Sequence, residues 1–199
     1  MIPHTAVALL IFAAVEGLVE VRSRYLDQVQ VRPQADFAAY RKVLIEPAPV
    51  NLRIEANTNE RNPRRISPED AKEISGAAAA SVQSALAEAF KGRGYEISAA
   101  PGPGVLRVSP RVTELMINAP AGGSATYTFA REAGQATLLL EARDSLSGDL
   151  LARIGHKGTA GQMGRLNLAN EVTNRFWFDA FFSRWAADCA EALRSPARD

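Results

Sequence analysis

Residues of the kinds that do chemistry are few in this 199-residue chain, and they are scattered. The single cysteine, Cys189, and the two histidines, His4 and His156, are all it offers for thiol–imidazole chemistry. A nucleophilic cysteine needs a base in reach and an electropositive, accessible setting. Cys189 instead follows Trp185 by four residues on an apolar helical stripe, and His156 belongs to a different element, so both are read as structural. One cysteine also excludes an internal disulfide and any multi-cysteine metal site. Glu141, Asp144 and Asp149 group around one predicted hairpin, and paired carboxylates can serve acid–base catalysis or hold a hard cation. Here Glu141 falls on a strand's polar face and the two aspartates in a turn, where aspartate is common for backbone reasons. Arg61, Arg64 and Arg65 form a short basic loop without interleaved aromatics, which reads as solvated. Gly102-Pro-Gly104 and Gly122-Gly123 lack the lysine and helix start of a phosphate loop. No catalytic, cofactor-binding or metal-binding residue is therefore assigned, and the expectation is a protein that is not an enzyme.

Phe176 to Trp185 is the densest feature, with both tryptophans and four of the eight phenylalanines. On a helix, Phe178, Phe181, Phe182, Trp185 and Cys189 make one stripe, which reads as core facing a sheet. Trp177 lies about 100° from Phe178 and off that stripe. With Arg184 it is the candidate partner contact, because Trp and Arg dominate binding hot spots. If Trp177 is exposed, Trp177→Ala leaves stability within about 1 kcal/mol.

The elements that must position these residues follow from local signals. Residues 40–46 read as a strand that ends at Pro47 and Pro49 and resumes at 50–54. Ser67-Pro-Glu-Asp70 is a helix start, with a Ser cap, Pro in the first turn and two acids at the positive end of the dipole. Ala71, Ile74, Ala78, Val82, Ala85, Leu86, Ala89 and Phe90 then share one face, and Gly92 and Gly94 stop the helix. Residues 95–99 and 105–109 alternate around Pro101-Gly-Pro-Gly104, which predicts a hairpin. Residues 118–133 read as a loop with a short strand around 125–130. A second hairpin spans 136–154 about a turn at 144–149, where Gly148 takes the left-handed position. Its second strand fades at 155–158, a Gly-rich linker covers 159–166, and a helix fills 168–194. Strand, helix, hairpin, hairpin, helix predicts an α+β fold in two layers: an antiparallel sheet of hairpins with both main helices on one face.

Ala6 to Val15 is an uncharged apolar run of ten residues, too short to span a membrane and suited to the apolar part of an export signal. Residues 1–17 are accordingly read as a signal peptide, although Lys and Arg are missing ahead of the run. Residues 18–39 are an extended lead-in and 40–195 a single α+β domain. The formal charge of +1 gives no global field that would attract nucleic acid or a membrane surface.

Several segments together resemble the domain-of-unknown-function 3313 family of uncharacterised bacterial envelope proteins, many labelled as lipoproteins. They are VRPQADFAAYRKVLIEPAPV (31–50), ISPEDAKEI (66–74), GYEISAAPGPGVLRVSPRVTEL (94–115), GQATLLLEARDSLSGDLLARI (134–154) and TNRFWFDAFFSRWAADCAEALR (173–194). The resemblance implies an exported, envelope-associated α+β domain and supplies no catalytic residues. This chain has no lipobox cysteine after its apolar run, so a periplasmic or secreted form is expected rather than a lipid-attached one. The expected role is association with an envelope protein, without cofactor or nucleic acid. The rival readings are a module for a small apolar or lipidic ligand and a hydrolase.

Overall fold

Ser67 sets the sharpest boundary in the computed structural model, which describes residues 17–53, 67–117, 129–130, 132–161, 167–168 and 171–194. Its Oγ accepts the Asp70 N–H at 3.0 Å, and Pro68, Glu69 and Asp70 fill the first turn of α1 (Pro68–Lys91). That helix buries Val82, Ala85, Leu86 and Phe90, as its periodicity predicts. Ahead of it come β1 (Val19–Glu20), β2 (Gln28–Val31), a 3-10 turn at Phe37–Ala39, β3 (Lys42–Ile45) and β4 (Val50–Leu52). After it come β5 (Glu96–Ile97), β6 (Val105–Ile117), β7 (Phe129–Ala130), β8 (Glu132–Asp144), β9 (Leu150–Gly161), β10 (Asn167–Leu168) and α2 (Glu171–Arg194). The export-signal reading of residues 1–16, the basic loop Arg61–Arg65 and Gly122-Gly123 lie outside the described residues.

Eight strands form one sheet in the order β1-β2-β9-β8-β6-β3-β5, with β4 also paired to β6. The β1-β2-β9-β8-β6 portion is antiparallel, whereas β3 and β4 run parallel to β6 and β5 runs parallel to β3. The sheet is therefore mixed, which corrects the expectation of an antiparallel sheet of hairpins. The β8–β9 hairpin forms as predicted, with Gly148 at φ 77° in its turn. The hairpin predicted around Pro101–Gly104 does not form, because β3 lies between β5 and β6. Parallel neighbours need a long crossover, and the 24-residue α1 supplies it between β3 and β5. Pro47 and Pro49 divide what would be one strand, so β3 covers the first part of β6 and β4 the second. β9 continues through Gly161, so residues 155–161 are strand rather than a fading end and a linker.

Register assigns each sheet face. Val108, Ala142, Ala152 and Val31 stand in one row, and Val43 pairs with Leu106 while Leu140 pairs with Ile154. These residues are buried beneath the helices. The rings of α2 reach the same face over β8 and β9. A Cβ on Gly134 would lie 2.9 Å from the Phe178 ring and 1.9 Å from the Met116 carbonyl oxygen. A Cβ on Gly158 would lie 2.5 Å from the Phe181 ring. Both helices thus cover one face, and they run in the same direction. Ser81 Oγ donates to Asp179 Oδ1 at 2.5 Å and Arg93 Nε donates to Glu191 Oε2 at 3.1 Å, each pair 98 residues apart.

Gly158→Ala tests this seat. Overpacking of a filled core costs about 1–3 kcal/mol, so its urea midpoint should fall accordingly. In Gly158→Ala/Phe181→Leu the loss should be smaller than the sum of the single losses by about 1 kcal/mol. Additive effects would show that the two positions do not touch.

Candidate functional site

Among the described residues, those singled out for chemistry are engaged in structure. Cys189 is fully buried, and burial, with Asp188 beside it, pushes its thiol well above the ordinary range. It is therefore a protonated core residue with no access for an electrophile. His156 stacks against Phe181 with centroids 5.9 Å apart, and its Nδ1 lies 3.2 Å from Asp27 Oδ2. The Asp27 carboxylate also accepts the Lys157 N–H at 2.7 Å, which ties the start of β2 to β9.

The three carboxylates around the β8–β9 turn do not converge on a shared point. Glu141 lies on the outer face of the sheet, 2.9 Å from Arg143 and 3.5 Å from Arg153. Asp144 Oδ1 accepts the N–H groups of Leu146 and Ser147 at 2.9 and 2.8 Å, and its Oδ2 accepts the Tyr40 hydroxyl at 3.0 Å. Asp149 accepts the Ser147 hydroxyl at 2.8 Å. No group of three metal-ligating side chains occurs among the described residues. The hydrogen bonds from Ser147, Leu146 and Tyr40 hold the Asp144 carboxyl below its ordinary range despite some burial. Burial, then the same bond to Asp144, pushes the Tyr40 phenol up to about 12. These groups brace a turn, and none is a free acid or base.

The outer sheet face carries a ladder of charge across neighbouring strands. Arg153, Glu141 and Ser109 occupy one row, and the Ser109 hydroxyl donates to Glu46, which also lies 3.9 Å from Arg107. Side chains here are half-buried by each other, with Arg153 and Glu141 each 24% exposed. Partial exposure keeps each such pair within about 1 kcal/mol. The ladder makes an uncovered sheet face wettable.

The rings of α2 divide into two sets. Phe178, Phe181, Phe182, Trp185 and Cys189 are buried as predicted, with Phe178–Phe182 and Phe181–Phe182 centroids 5.9 and 5.7 Å apart. A groove of about 250 Å³ opens elsewhere, between the segment Val21–Tyr25 and the C-terminal ends of the helices at Arg93, Asp188 and Glu191. None of the α2 rings lines it. Burial raises the Asp188 carboxyl there, opposed by His156, Arg93 and Arg184. Of the predicted contact pair, Arg184 is exposed, while Trp177 is half-buried against the core with its indole N–H closed off and unpartnered among the described residues. Trp177→Ala therefore removes core packing as well as surface. The exposed ring is Phe176, 61% exposed and edge-on to Trp177 at 5.2 Å. Sequence reasoning passed over it, although two residues from Phe178 is about 200° of helical turn, the far side from the core.

The Tyr40–Asp144 bond predicts two opposite pH effects. The phenol's raised value means its stabilising contribution is complete below its ordinary value near 10 and is lost as pH rises through about 12. The lowered Asp144 value means a contribution present above the ordinary carboxylate range and lost as pH falls through the depressed value. A phenolate absorbance titration, taken as the difference from Tyr40→Phe, should show a midpoint near 12, drawn downward by Asp144→Asn. A midpoint near 10 in the unaltered chain would break this account.

Several solved structures are similar to the chain at low identity. A PelC dodecamer from Paraburkholderia phytofirmans is 12% identical, with TM-score 0.43, over 80% of this chain and 96% of that one. A Xanthomonas campestris protein of the DUF330 family is 8% identical, with TM-score 0.45, over 85% and 90%. A minor lipoprotein from Acinetobacter baumannii is 14% identical, with TM-score 0.37, over 79% and 94%. No curated protein matches the sequence. The family model described as protein of unknown function DUF3313 matches residues 12–189, in agreement with the motifs at 31–50, 94–115 and 134–154, and the chain belongs to that family.

Proposed function

We propose that the protein is a non-catalytic, envelope-associated domain that works by binding another protein through the exposed side of α2. The contact residues are Trp177 and Arg184, with Phe176 added to them. One observation carries this reading: a large ring, 61% exposed, stands edge-on to Trp177 on the side of α2 that also bears Arg184. An aromatic anchor flanked by arginine is the composition of interface hot spots. Envelope placement is supported by the export-like run at Ala6–Val15 and by the resemblance of the chain's motifs to envelope proteins. No helix among the described residues is long and apolar enough to cross a membrane. The lipidic-ligand reading has less support, because the rings that would line such a cavity pack on one another. The hydrolase reading has less still, because the thiol is closed off.

A photo-crosslinking residue in place of Phe176, in the natural host, tests the proposal against the same residue in place of Leu146, an unrelated position that is 64% exposed. The expected result is a discrete protein adduct from position 176 only, recovered with the envelope fraction. No adduct from 176, equal adducts from both positions, or recovery with the cytoplasm would overturn it.

A further inference from the structure

We propose that the groove between the Val21–Tyr25 segment and the C-terminal ends of the helices binds a small zwitterion, an ammonium group joined by a few carbons to a carboxylate or phosphate. This site goes beyond the association reading, since it lies at the other end of α2 from Phe176 and uses none of the contact residues assigned there.

The two walls of the groove carry opposite charge. Arg22 and Arg24 line one wall, while Asp188 and Glu191, one helical turn apart on α2, line the other. Glu191 already accepts from Arg93 at 3.1 Å. Among the described residues no ion pair engages Arg22, Arg24 or Asp188. Arg24 instead lies over the exposed Tyr25 ring, 5.4 Å from its centroid. Asp188 is partly taken out of water, and burial raises its carboxyl more than the fields of His156, Arg93 and Arg184 lower it. An ammonium in contact with that carboxylate would complete the balance.

The groove is also preformed. Ser23 Oγ accepts the N–H groups of Tyr25 and Leu26 at 3.3 and 3.2 Å, and Leu26 is buried. At the other end of the segment the Val21 N–H donates to the Val29 carbonyl at 2.8 Å. These bonds pin the arginine-bearing segment on both sides, so little ordering is left for a ligand to pay for. Val21, Val29 and Ala192 add apolar lining suited to a short carbon chain. A lone anion would meet Asp188, and a lone cation would meet the two arginines. A molecule with both charges satisfies both walls at once. The volume of about 250 Å³ suits roughly ten heavy atoms, at about 30 Å³ for each water-sized group. A free amino acid and the headgroup of an ethanolamine phospholipid share this chemistry.

Chemical-shift titration of the isotope-labelled chain, at neutral pH and constant ionic strength, tests the site with leucine and with glycerophosphoethanolamine. Each probe runs beside its halves: isocaproate and isoamylamine for leucine, glycerophosphoglycerol and ethanolamine for the other. At least one zwitterion should bind with Kd below about 1 mM, and about tenfold tighter than either of its halves. The tighter probe assigns the source, free amino acid or lipid headgroup. The amide signals of Ser23, Tyr25 and Asp188 should move. Asp188→Asn should weaken the zwitterion about tenfold without weakening the anionic half. Arg22→Gln/Arg24→Gln should weaken both by about tenfold or more. Arg22 and Arg24 are exposed and Asp188→Asn conserves shape, so an unchanged thermal midpoint checks folding. No zwitterion binding below about 1 mM, halves that bind as tightly, shifts confined to other residues, or affinity indifferent to either variant overturns the proposal. Such a failure leaves the association reading standing, because its own test is the cross-link from position 176.

Discussion

Where Phe178 and Phe181 of α2 meet the sheet, β8 and β9 present Gly134 and Gly158, and a single added carbon at either position would collide with a ring. Gly134 also sits at a register shift with φ 155°, a conformation that side chains disfavour. The clearing gives the wide side chains of α2 room to pack onto β8 and β9. It also fixes the rotation of α2. With Phe178 and Phe182 turned down, Trp185, Cys189 and Leu193 follow into the core, and Phe176, Ser183 and Arg184 face away.

That rotation decides what the chain's chemical side chains can do. Cys189 becomes core, His156 becomes the floor beneath Phe181, and Asp27 reaches across to hold the first strands against β9. The two faces of the molecule then stay wet by different means. The outer sheet face satisfies its charges within itself, row by row across β6, β8 and β9. The outer helix face exposes a ring and, apart from Arg93 with Glu191, holds no ion pair among the described residues. A surface whose charges are already partnered gains little from a new contact, and one whose charges are free gains more. The asymmetry points association toward the helices.

Much of this was legible in the residues. The Ser67 cap, the buried face of α1, the core stripe of α2 and the turn at Gly148 follow from local rules that look only a few positions along the chain. Strand direction was not legible in the same way. Glu96–Ile97 is too short to show what it pairs with, and the Pro101–Gly104 turn signals suited a hairpin as well as the crossing they make. The strand–helix–strand order around α1 was the available sign of a parallel pair. Gly158 misled for a related reason: a glycine that ends a strand and a glycine that makes room for a ring look alike until the helix is placed above it. Phe176 was legible and overlooked, since the 200° separation needs only helical arithmetic.

The central claim is that the α2 stripe is sealed core, with Cys189 locked inside it. Thiol labelling of the native chain across a urea series measures that seal directly. The account predicts labelling that occurs only through global unfolding, so that its free energy falls with urea along the same slope as the equilibrium unfolding curve. Rapid, urea-independent labelling of the folded protein would mean that the stripe lines an open space, and the reading of an inert scaffold would fall with it.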